Sequence, residues 1–130
     1  MKPIALAALL AVPPLATACA DETLTGYASG VYRLEEIDGT RFEWGATLDL
    51  TEEGRIAGQA PCNRYSAAQE APYPWFQPGP IAATRMACLH MNGEAAFFEA
   101  LGEMTLAEAS GPVLILSNEA GREMVFRLEE

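Results

Sequence analysis

Apolar and polar residues alternate over short stretches along most of this chain, and the rhythm changes once. In VYRLEEIDG, Tyr32 and Leu34 alternate with charged neighbours, which predicts a half-buried strand ending at Gly39. ATLDLTEEGRIAGQA carries a hairpin signature: Leu48 and Leu50 alternate with polar residues, Glu53-Gly54 turns the chain, and Ile56 starts the return strand. EAPYPWFQPGP holds four prolines, too many for a central strand, and predicts a loop or an edge. IAATRMACL reads as a further strand. NGEAAFFEALGEM then switches to helical spacing, with Phe97, Phe98, Leu101 and Met104 on one face. Asn92 is placed to cap that helix, and Glu94 suits the positive end of its dipole. PVLILS and EMVFRL close the pattern around NEAGR, where Gly121 suits a tight turn. Six to eight strands and one helix predict an α+β fold, mainly β: an antiparallel barrel-like sheet with the helix packed on or across it.

The first 20 residues follow another logic. Lys2 precedes an apolar run from Ile4 to Val12, and small residues then lead to Cys19, the layout of a secretory signal peptide. The run is shorter than the roughly 20 residues a bilayer span needs, and Pro13 and Pro14 would break a buried helix there. Ala16-Thr17-Ala18 before Cys19 resembles a lipoprotein processing site, in which Cys19 is lipidated and becomes the first residue. Ala18-Cys19-Ala20 before Asp21 would instead suit ordinary cleavage and a soluble product. The lipidated form is preferred, although Leu15 sits one place early for such a site. Residues 21–29 then form a short tether, and 30–130 the domain. This predicts an exported, periplasmic protein, held to a membrane by a lipid on Cys19.

Composition narrows the partners. With 130 residues there is room for one compact domain. The net charge is −10; without residues 1–18, seven Arg face 18 Asp and Glu, a net of −11, and no Lys is left. That balance argues against nucleic acid and anionic lipid headgroups as partners. A monomer is expected, with no cofactor.

The chemistry turns on Cys19, Cys62 and Cys88. If Cys19 carries lipid or leaves with the signal, two cysteines remain, and in an oxidising compartment they are most simply a disulfide. Zinc would want four N or S ligands, or three and a water; two Cys without CxxC spacing and the single His90 do not supply them. A Cys–His nucleophile would need a free thiolate beside His90. Glu35 and Glu36, being adjacent, point to opposite faces of a strand and make a poor acid–base pair.

In this setting the sequence resembles the META domain family, which includes the bacterial heat-shock protein HslJ. The resemblance is carried by Tyr32, Leu34, Ile37 and Gly39 in the opening strand, and by Gly58, Cys62, Asn63 and Tyr65 in a G-x-x-G-C-N-x-Y pattern. Thr84, Met86, Ala87 and Cys88 match T-x-M-A-C, and Phe97 and Leu101 match the helix. The chain departs at Pro61, where a Gly is usual, at Tyr32 in place of Trp, and at SAAQ, which lacks the Gly of a turn. The resemblance implies a lipocalin-reminiscent envelope domain without an assigned reaction, associated with heat stress and novobiocin resistance. On that reading Gly58, Asn63, Tyr65, Thr84 and Met86 are scaffold. Tyr73, Trp75 and Phe76, gathered between prolines, form the candidate binding surface. An inhibitor or binding module for an envelope hydrolase, presenting that aromatic ridge to a basic enzyme, is the alternative.

Overall fold

The computed structural model describes residues 21–89 and 91–129, together with Pro3. A single turn of helix, α1 (Leu24–Tyr27), leads into β1 (Val31–Ile37), β2 (Thr40–Arg41), β3 (Thr47–Asp49), β4 (Arg55–Gln59), β5 (Arg64–Ala68) and β6 (Ala82–Ala83). Helix α2 (Met91–Glu103) follows, and β7 (Leu106–Ser110), β8 (Val113–Ser117) and β9 (Glu123–Leu128) complete the chain. All nine strands join one antiparallel sheet in the order β6-β5-β4-β3-β1-β9-β8-β7, with β2 hairpinned onto β1.

Alternation does what the sequence predicts. Tyr32 and Leu34 point inward from β1, Leu114 and Leu116 from β8, and Met124 and Phe126 from β9. They meet across strands: Tyr32 faces Leu48, Leu34 faces Phe126, and Phe126 faces Leu114. The inner face of α2 adds Phe97, Ala100 and Leu101 to this core, and Met104 just beyond the helix joins them.

The expected barrel is not closed by a continuous ladder; the end strands β6 and β7 do not pair. The proline-rich segment lies between them instead. At one end Phe76 N donates to Thr105 O, and Ala107 N of β7 donates to Pro74 O. At the other, Gly79 N donates to Ala68 O before β6 pairs with β5. Prolines cannot sustain a ladder, so one irregular segment covers both edges where a tenth strand would have paired them.

Other expectations shift. The strand read in IAATRMACL shrinks to Ala82–Ala83: Thr84 still bonds to Arg64 of β5, but its hydroxyl and Met86 N turn to the Asn63 side chain and Cys88 to the Cys62 sulfur. SAAQ is no turn, since Ser66–Ala68 continues β5. Strand β7, unremarked in the sequence, pairs with β8 along its whole length. Asn92 lies within the first turn of α2 and does not precede it. Residues 21–29 are no tether. Leu24 and Ala28 are buried in the core, Thr23 bridges Pro72, and Tyr73 N donates to Glu22 O at 2.7 Å. Among the described residues no helix is long and apolar enough to cross a membrane.

Candidate functional site

The residues that carried the sequence motif meet at the start of α2. Cys62 and Cys88 form a disulfide, with Cα atoms 5.9 Å apart across a separation of 26 residues. Beside it, Asn63 is buried and spends its amide entirely within the protein. Its Nδ2 donates to Met86 O at 3.1 Å and to Glu94 Oε2 at 2.7 Å. Its Oδ1 accepts from Thr84 Oγ1 at 2.8 Å and Met86 N at 2.7 Å. That is the full capacity of an amide, two donors and two acceptor sites.

Glu94, buried in the first turn of the helix, completes the junction. Its Oε1 accepts from Cys62 N at 3.1 Å and from Asn63 N at 2.7 Å. Burial by itself would raise this carboxyl, but the bonds from the Asn63 side chain, Asn63 N and Cys62 N outweigh it and hold it below the ordinary value of 4.5. Residues 62–63, 84–88 and 94 are thus tied by charge-assisted bonds and one covalent link. The sequence assigned Glu94 only to the helix dipole. Its larger role depends on partners more than 30 residues away, which leave no local mark.

Gly58 and Tyr65 explain one another. They are cross-strand partners, and the Tyr65 hydroxyl donates to Thr47 O at 2.6 Å. A Cβ at position 58 would collide with the Thr47 carbonyl and press on that hydroxyl. Burial, aided by Asp49, pushes the Tyr65 phenol far above its usual range. Met86 differs from the scaffold expectation for aliphatic positions: its backbone serves the junction, while its side chain is 61% exposed.

The aromatic ridge divides. Phe76 is wholly buried and belongs to the core, not to a surface. Tyr73 is half-buried; its hydroxyl accepts from Ala109 N at 3.0 Å, and its ring stacks on Tyr27 at 4.2 Å. Trp75 stays 50% exposed. Buried Gln69 holds the segment, donating through Nε2 to Trp75 O at 3.0 Å and accepting at Oε1 from Gln77 N at 2.9 Å. A second outward apolar group surrounds the start of α2. Trp44 lies on Gly93, where a Cβ would strike its indole, and Met86, Leu89 and Met91 are exposed nearby.

Of the other sequence candidates, Glu35 and Glu36, expected on opposite faces, share one cleft, next to a register shift between Leu34 and Glu36 in the β1–β9 pairing. Glu35 accepts from Arg127 Nε at 2.9 Å and, with Glu36, lines an open cleft of about 710 Å³ shared with Arg33, Arg41, Phe42 and Glu43. Among the described residues no group of three His, Cys, Asp or Glu side chains is placed to hold a metal ion. Cys19 and His90 lie outside the described residues.

Comparison with known proteins agrees with this geometry. The family model of the META domain matches residues 22–130. No protein of curated function matches the chain. An NMR structure of a protein from Burkholderia xenovorans is similar over 79% of this chain and 83% of that one, at 25% identity and a TM-score of 0.63. The crystal structure of a DUF4847 family protein from Bacteroides vulgatus covers 79% of this chain and 94% of its own, at 13% identity and a TM-score of 0.60, a likeness of fold alone.

Proposed function

The chain belongs to the META domain family, and we propose that it is a non-catalytic module of the cell envelope, acylated on Cys19 and facing the periplasm, that supports tolerance of heat and of novobiocin. The observation that carries this reading is the junction at the start of α2. Asn63, Thr84, Glu94 and the cysteine pair, which include much of the family's shared motif, bond to one another and to backbone. A motif whose polar groups are consumed internally works as a staple. Function then rests on outward surfaces and on location. A deletion strain of the native host, complemented with the wild-type gene or with Cys19→Ala, tests it. Wild type should restore growth under heat and novobiocin, and Cys19→Ala should leave the membrane fraction and fail to protect. A deletion strain as tolerant as its parent ends this reading.

A second reading, an inhibitor or binding module for an envelope hydrolase, is favoured by the exposed group of Trp44, Met86, Leu89 and Met91. Outward apolar side chains on an acidic domain are suited to anchoring on a basic enzyme. Immobilised protein should then retain a basic hydrolase from a periplasmic extract and lose it on Leu89→Asp. Retention of none counts against it.

A further inference from the structure

We propose that the corner formed by Tyr27, Tyr73 and Trp75 rests on the headgroup layer of the membrane that anchors the chain. This inference rests on the acylation of Cys19 just proposed.

Residues 21–29 are packed onto the domain. The Asp21 carboxylate accepts from Thr23 N at 3.0 Å and from the Thr23 and Thr25 hydroxyls. A Cβ on Gly26 would collide with the Asp21 carbonyl. Thr23 bridges Pro72, and Leu24 is buried. The packed domain therefore begins at Asp21, two residues after Cys19, and two residues reach at most about 7 Å. A loose tether would let the domain float free of the bilayer; this one holds it against the surface.

The side chains around that point suit the position. Tyr73 N donates to Glu22 O, Tyr27 stacks on the Tyr73 ring, and Trp75 N donates to Pro72 O at 2.9 Å, a turn that keeps the Trp75 backbone beside Pro72, the bridge partner of Thr23. Tyr27 is 57% exposed and Trp75 50%. Tyr and Trp, apolar in body and polar at one end, are the residues that collect at membrane–water interfaces. Asp21 and Glu22 beside them favour zwitterionic over anionic headgroups.

The other tryptophan supplies a control. Trp44 packs on the first turn of α2, whereas Trp75 bridges Leu106, beyond its last turn. The helix has 13 residues, so the Trp44 indole and the Trp75 backbone are held at opposite ends of an element about 20 Å long.

The experiment uses the full chain purified from its native host, as Trp44→Phe and as Trp75→Phe, each leaving one of the two Trp. Both are placed in phosphatidylcholine vesicles whose acyl chains carry bromine near the carbonyls, with circular dichroism to check folding and intact mass to report acylation. Trp75 emission should fall to roughly half and shift to the blue, as expected for interfacial depth, while Trp44 emission stays unchanged. Added phosphatidylglycerol should weaken the quenching. Acylated protein with unquenched Trp75 overturns the proposal and leaves the acylation intact. Trp75 unquenched by lipid but shielded from iodide in native envelopes places a protein there and also overturns it. An unacylated mass removes the acylation reading, and this inference with it. Should Trp44→Phe not fold, the unsubstituted protein carries the test: quenching beyond that of Trp75→Phe supports the proposal, and its lack refutes it.

Discussion

The two ends of helix α2 solve opposite problems. At its start, a buried carboxylate, a buried amide and a disulfide gather where three segments meet, and each polar group is satisfied by another. Beyond its end, the proline-rich segment inserts Phe76 into the core and leaves Trp75 and the Tyr27–Tyr73 stack outside. Buried polar groups cost several kcal/mol unless paired, so the first region is closed to any partner that would compete for those bonds. The second region has exposed aromatic surface to offer. The polar groups of the shared motif and the surface proposed to meet the membrane are therefore different places in this molecule.

That contrast can be broken most forcefully at Phe76. Phe76→Ala removes a fully buried ring and should cost about 3–5 kcal/mol, read as a drop in the urea midpoint. Next comes the staple. Cys62→Ser with Cys88→Ser, or reduction by dithiothreitol, should lower stability by about 2–5 kcal/mol; equal midpoints with and without reductant would deny the bridge its role. Third is Glu94→Gln, which puts an amide nitrogen among three donors and should cost about 2 kcal/mol at neutral pH. Because the folded-state carboxyl lies below its ordinary value, its stabilisation is fully present above that value and is lost as pH falls through the folded-state one. Wild type should therefore weaken as pH falls below the ordinary carboxylate value of 4.5, and the variant less steeply. Asp21 and Asp38, also held low by hydrogen bonds from Thr23 and from Glu123 N, should retain part of the acid sensitivity in both. The smallest effect belongs to Trp75→Ala: within about 1 kcal/mol in stability, and visible chiefly in membrane or envelope assays. A large loss of stability there would make the exposed ridge part of the scaffold.

Much of the fold was legible in the residues. Strands β1, β4, β8 and β9 and helix α2 follow their apolar periods, and the Glu53-Gly54 turn joins β3 to β4 as written. The Cys62–Cys88 pair followed from counting. What escaped were features with no local period. Residues 21–29 read as polar and short, yet Leu24 finds a place in the core. Ala82–Ala83 joins the sheet only because Tyr65 and Ser66 lie alongside.

Periodicity and turn chemistry act over a few residues, so the chain alone settles which stretches extend, which coil and where they reverse. It also settles that the family pattern is present. Tertiary structure decided the rest. Whether Phe76 or Trp75 turns inward depends on hydrogen bonds to Thr105 and Gln69. Whether Glu94 is a surface charge or the centre of a junction depends on Cys62 and Asn63 arriving from another part of the chain. Those outcomes are set by long-range pairing of polar groups that must leave water together.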